Sequence, residues 1–64
     1  MILYRVEYKQ NITTYWSEMD EFSSLNQAVE CAEKHASEEW FKYYNFRIIK
    51  HVSTEEEVWA KNTQ

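Results

Sequence analysis

SLNQAVECAEKHASEEW, residues Ser24 to Trp40, is the stretch whose reading decides the fold. Ser24 stands where a helix N-cap belongs, and Gln27 three residues later completes an S-x-x-Q capping box. Leu25, Ala28, Val29, Ala32, Ala36 and Trp40 follow at steps of three and four, so they share one stripe. Asn26, Gln27, Glu30, Lys34, Ser37 and Glu38 lie off it. Glu30 precedes Lys34 by four, the favourable order for a helical ion pair. The alanines on the stripe let this helix approach whatever it covers. Glu39 would turn toward the apolar side of a continued helix, so fraying or a bend is expected between Glu38 and Trp40.

On either side of the helix the pattern changes from a period near 3.6 to a period of two. In residues 2–9, Ile2, Tyr4, Val6 and Tyr8 alternate with Leu3, Arg5, Glu7 and Lys9, as in a half-buried strand. Asn11 to Thr14 reads as a turn, and Tyr15 to Phe22 as a second strand returning on the first. After the helix, Tyr44 to Ser53 places Tyr44, Phe46, Ile48 and Val52 on one face and Asn45, Arg47, Ile49 and His51 on the other. Ser53 to Glu56 reads as a turn, and Glu57 to Lys61 as a short last strand. The expected class is α+β: a ββαββ order, with one helix on one face of a four-stranded, mostly antiparallel sheet.

With 64 residues, the chain forms one domain over 1–64, near the lower limit for a fold held by its core alone. It contains no Gly and no Pro, so tight turns fall to Asn, Asp, Ser and Thr, of which Asn best tolerates a left-handed backbone. A single cysteine excludes an internal disulfide framework. No apolar run reaches membrane-spanning length and no signal peptide is visible after Met1, which points to a small cytoplasmic protein without membrane contact.

Width is the informative mismatch. A helix ~10 Å across cannot roof four strands spaced ~4.8 Å apart, so apolar surface should stay open. The chain carries three Trp, five Tyr and three Phe, more rings than one small inner face holds. Tyr and Trp left outside favour contact with another macromolecule, though small cores also use large rings. The formal net charge is −4, with acids grouped at Glu18, Asp20 and Glu21, along the helix at Glu30, Glu33, Glu38 and Glu39, and at Glu55, Glu56 and Glu57. Such groups repel phosphate backbones and attract a basic partner, or simply keep the surface solvated.

Catalytic signals are sparse. Cys31 and His35 stand four apart on the helix, but no third ligand or orienting carboxylate lies at a recognised spacing. A Gly-free chain has no phosphate-cradling loop. The reading is a non-enzyme with no cofactor and no metal.

The strand pair, the helix opening FSSLNQAVECAEKHA with Ser24, Leu25 and Ala28 in an S-L-x-x-A start, the FRIIKHV strand and the VW-containing end resemble small bacteriophage- and mobile-element-encoded proteins, some anti-CRISPR proteins among them. The resemblance is one of layout and helix start, with no functional motif to transfer. It implies an inhibitor that occupies a surface. The expected function is then a phage-type inhibitor of a host defence complex, protein or ribonucleoprotein, that handles nucleic acid through a basic surface. Glu18, Asp20, Glu21, Glu30, Glu33, Glu55, Glu56 and Glu57 would meet that surface, with Trp16 and Trp59 as exposed anchors. Two other readings remain. One is a nucleic-acid-binding regulator using Lys42, Arg47, Lys50 and nearby rings; the other is an accessory protein whose open sheet closes on its twin as a homodimer.

Overall fold

The computed structural model describes residues 2–38 and 43–61. Five elements follow in order: β1 (Leu3–Gln10), β2 (Ser17–Phe22), α1 (Leu25–Ala36), β3 (Tyr44–His51) and β4 (Glu55–Lys61). The strands form one sheet in the order β2-β1-β3-β4, each neighbouring pair antiparallel. This is the ββαββ α+β layout, with the two most apolar strands, β1 and β3, at its centre.

Alternation along those central strands decides which face the helix takes. Val6 pairs with Ile48 and Tyr8 with Phe46. Val6, Phe46 and Ile48 are fully buried, together with Ala28 and Ala32 of α1. The two alanines sit one turn apart, and their short side chains bring the helix axis down onto β1 and β3. Tyr4, Met19, Phe22, Val29 and Tyr44 pack around this centre. Val58 and Trp59 close it from the β4 flank, where β4 shifts register against β3 between Ile48 and Ile49.

Helix start and stop are both made by side chains. Ser24 has extended backbone at φ −127° and ψ 131°, and its hydroxyl accepts from the Gln27 N–H at 3.4 Å. At the other end the Ser37 hydroxyl donates to the Lys34 carbonyl at 2.7 Å, while His35 Nδ1 and Glu38 Oε1 meet at 2.8 Å. The regular helix therefore stops at Ala36, earlier than the apolar stripe suggested. The expected bend at Glu39 and the stripe member Trp40 lie outside the described residues.

Strand boundaries also differ from the sequence reading: β1 runs Leu3–Gln10 rather than over 2–9. β2 begins at Ser17, so Tyr15 and Trp16 belong to the preceding connection. β3 ends at His51, which leaves Val52 outside the strand and exposed. β4 begins at Glu55, so the expected Ser53–Glu56 turn is shorter and Glu55 and Glu56 become strand residues. None of the described residues has a positive φ, so these turns need no left-handed position. The β1–β2 connection closes instead on the Gln10 carbonyl, which accepts from the Thr13 N–H at 3.1 Å and the Thr13 hydroxyl at 3.0 Å.

Candidate functional site

The sheet face away from α1 is closed by charge. Glu7, only 8% exposed, holds two guanidinium groups: its Oε1 lies 2.6 Å from Arg47 Nε and its Oε2 2.7 Å from Arg5 Nε. Arg5 continues to Glu55 at 3.1 Å, and Glu55 to His51 Nδ1 at 3.4 Å. Trp16, carried over from the β1–β2 connection, stacks on the Arg47 guanidinium with 4.3 Å to its ring centroid, and Lys9 Nζ approaches the same ring at 5.5 Å. Beneath this layer Ile49 is 6% exposed. This outer face is thus covered by long polar side chains, whose stems bury Ile49.

This network places several candidate residues. Trp16, expected as an exposed anchor, is half-buried on Arg47. Trp59, the other expected anchor, is half-buried against the core opposite Ile48. The run Glu55, Glu56 and Glu57 does not face one way. It belongs to a strand, so its members alternate: Glu55 and Glu57 pair with His51 and Ile49 on the outer face, and Glu56 pairs with Lys50 on the other. Glu55 bonds Arg5 and His51, and its carboxyl titrates below the ordinary range, first because Arg5 donates a hydrogen bond and then because of the nearby Arg5 charge.

Glu18, Asp20 and Glu21 lie exposed along β2, the sheet edge opposite β4. Glu30 and Glu33 are exposed on α1. Among the described residues no ion pair engages any of these five. The carboxylates expected as one surface therefore occupy two opposite sheet edges and the outside of the helix. Of the basic group in the nucleic-acid reading, Arg47 is committed to Glu7 and Trp16, and Lys42 lies outside the described residues.

The open apolar surface is elsewhere, at the end of the sheet where β1 turns into β2 and β3 begins. Ile12 is 88% exposed, Tyr15 69% and Tyr43 60%. Ile12 and Tyr43 line a groove of about 490 Å³ with Gln10, Asn11 and Tyr44. Gln10 and Tyr44 also line a neighbouring groove of about 220 Å³, completed by Tyr8, Lys9, Thr13, Tyr15 and Ser17. The shared wall is fixed by the Gln10 side-chain amide, which donates to the Tyr44 hydroxyl at 2.8 Å, and by the Tyr8 and Tyr44 rings, 5.7 Å apart. Sequence reasoning flagged the crowd of rings but not which of them meet. The missing signal was register: Gln10 pairs with Tyr44 only once β3 is known to lie beside β1.

The chain's one cysteine lies away from this end. Cys31 is half-buried in α1, and burial followed by the Asp20 charge pushes its thiol up, away from the thiolate needed for attack. His35 meets Glu38 at 2.8 Å, one turn beyond. Among the described residues no three His, Cys, Asp or Glu side chains are placed to hold a metal ion, and no helix is long and apolar enough to cross a membrane. No family model, curated protein or solved structure matches the chain.

Proposed function

We propose that this chain is a non-catalytic binding protein that docks on a basic protein surface, and that it works as an inhibitor by covering that surface. The observation that carries this reading is the juxtaposition at one corner of the fold. Exposed Ile12, Tyr15 and Tyr43 gather where the β1–β2 connection meets the start of β3, and β2 leaves that corner with exposed Glu18 and Glu21 on the face away from α1 and exposed Asp20 on the helix face. Rigid rings supply contact area at small entropic loss, and exposed carboxylates along the neighbouring edge strand steer a cationic partner toward them.

The layout shared with small phage-encoded inhibitors supports placing the partner in a host defence complex that handles nucleic acid, since such complexes expose basic grooves. The Glu55–Glu57 strand, with Glu55 already bonded to Arg5, plays a lesser part in this reading than the β2 edge. Trp16 acts indirectly, holding the connection that presents Tyr15.

Capture from bacterial lysate with three immobilised forms tests the reading: wild type, Glu18→Lys/Glu21→Lys, and Tyr15→Ala/Tyr43→Ala. Wild type should retain a partner that both variants lose. With the purified partner, the association rate should fall as salt rises, because exposed charges farther apart than ~10 Å are screened at 0.1 M. Retention unchanged in both variants, or an association rate indifferent to salt, rules the reading out.

A further inference from the structure

We infer that the sheet face away from α1 takes an α-helix of the partner, laid along the strands, with Lys or Arg on both flanks and an uncharged underside. This deepens the proposed function and rests on it. The register aligns Glu21 of β2, Arg5 of β1, Ile49 of β3 and Glu57 of β4 in one row across all four strands. Glu18 shares that face one repeat along β2, opposite Glu7, and Glu55 one repeat along β4, opposite His51. Acids from the two opposite edges thus stand over the same face as two rails. Their sequence neighbours Asp20 and Glu56 pair with Val6 and Lys50 and belong to the helix face.

The rails set the size and flanks of what fits. Three strand spacings of ~4.8 Å put them ~14 Å apart, and a two-residue repeat puts the acids of one rail ~7 Å apart. An α-helix is ~10–12 Å across with its side chains, and residues four apart on one flank rise ~6 Å. It therefore lies between the rails with a flank on each, at nearly their repeat. An extended segment, ~5 Å wide, reaches one rail only. Among the described residues Glu18, Glu21 and Glu57 are exposed and no ion pair engages them, so their charge is free for cationic flanks.

The ground between the rails sets the underside. Arg5 and Arg47 share the Glu7 carboxylate, and Lys9 Nζ lies 5.5 Å from the Trp16 ring that covers Arg47. Cations outnumber acids there, so a Lys beneath the helix would be repelled. The Trp16 ring and exposed Ala60, which pairs with Arg47, receive an uncharged surface instead. A nucleic-acid strand would find cations and a ring in the middle but carboxylates along both sides.

Fluorescence anisotropy on the full chain tests this with two labelled alanine-based peptides of about 15 residues, long enough to form a helix. One carries its lysines on both flanks; the other carries the same number on a single flank. The two-flank peptide should bind, and the single-flank peptide at least about tenfold more weakly. Glu21→Gln/Glu57→Gln should weaken the two-flank peptide by about tenfold, and each single substitution by about threefold. Glu30→Gln/Glu33→Gln removes the same charge from the outside of α1 and should cost less than about twofold. All four side chains are exposed, and far-ultraviolet circular dichroism checks that each variant is folded. Equal binding of the two peptides, equal losses in the two double variants, or dependence on one rail alone overturns the inference. So does preference for a single-stranded oligonucleotide over the two-flank peptide. If neither peptide binds while lysate capture still depends on the Tyr15/Tyr43 and Glu18/Glu21 pairs, the helix is wrong and docking on a basic surface stands. If the peptides behave as expected and capture depends on neither pair, the face stands and the inhibitor reading falls.

Discussion

At the scale of single residues, Glu7 matters most because, among the described acids, it is the furthest removed from water, and it holds two guanidinium groups. Glu7→Gln keeps the shape but takes the carboxylate from Arg47 and leaves Arg5 with exposed Glu55 alone. Removing one partner of a fully buried pair costs about 3–5 kcal/mol; these guanidinium groups keep some water contact, so about 2 kcal/mol is the expected loss. Urea unfolding should show a lower midpoint with an unchanged slope, and a loss under ~0.5 kcal/mol would mean the network is decorative. Glu55 gives a pH prediction. Its folded carboxyl lies below the ordinary Glu value, so its contribution is present above that ordinary value and is lost as pH falls through the depressed folded value. Glu55→Gln should therefore lower stability at neutral pH, with the gap to wild type closing as pH falls down the acid limb. A gap in thermal midpoints that stays constant down the acid limb would disprove the linkage. Neither role was legible in the sequence. Alternation places Arg5, Glu7 and Arg47 on one face, but that Glu7 lies between the two arginines depends on β3 pairing with β1.

At the scale of elements, α1 shows how much local pattern can carry. The cap at Ser24, the stripe through Ala28 and Ala32, and the outward position of Glu30 all follow from spacing, and the structure repeats them. The end of the helix was less legible, because an apolar stripe reaching Trp40 says nothing about Ser37 turning its hydroxyl back to the Lys34 carbonyl. Strand ends failed for a related reason. Glu55 and Glu56 read as a turn because acids are poor strand formers, and their cross-strand partners His51 and Lys50 become visible only in the folded register. The candidate site was legible in kind but not in place: surplus rings were expected outside, yet Trp16 and Trp59 went in while Tyr15 and Tyr43 stayed out. Two substitutions separate the parts of the helix. Ala32→Leu forces extra volume between α1 and the central strands and should destabilise by about 1–3 kcal/mol, whereas Ser24→Ala removes only the cap, at about 1 kcal/mol. Should the leucine variant melt at or above the wild-type temperature, α1 does not sit as close to the sheet as its alanines imply.

At the scale of the whole molecule, the acids that do not converge on one patch take on a common role. Two of the three groups lie on the edge strands, Glu18, Asp20 and Glu21 on β2 and Glu55 to Glu57 on β4. An edge strand is a template for a second chain, and charged side chains are a standard means of denying that pairing. If two copies met β2 to β2, carboxylates would oppose carboxylates, and like charges directly across a ladder are destabilising. A net charge of −4 on 64 residues adds longer-range repulsion at low salt. A homodimer joined edge to edge thus requires an edge the chain itself defends, while a basic partner finds the same edge attractive. Wild type is expected to scatter light as a monomer at neutral pH and low salt. Glu18→Thr/Glu21→Thr removes the opposed charges, raises strand propensity, and keeps Asp20 bonded to the Glu21 N–H, so only the electrostatic guard is lifted. That variant should self-associate as concentration rises, and wild type should do the same as pH falls toward its isoelectric point of about 5.0. A threonine variant that stays monomeric at every concentration, beside a wild type already dimeric at neutral pH, would show that the acids do not police the edge and that copies meet through another surface.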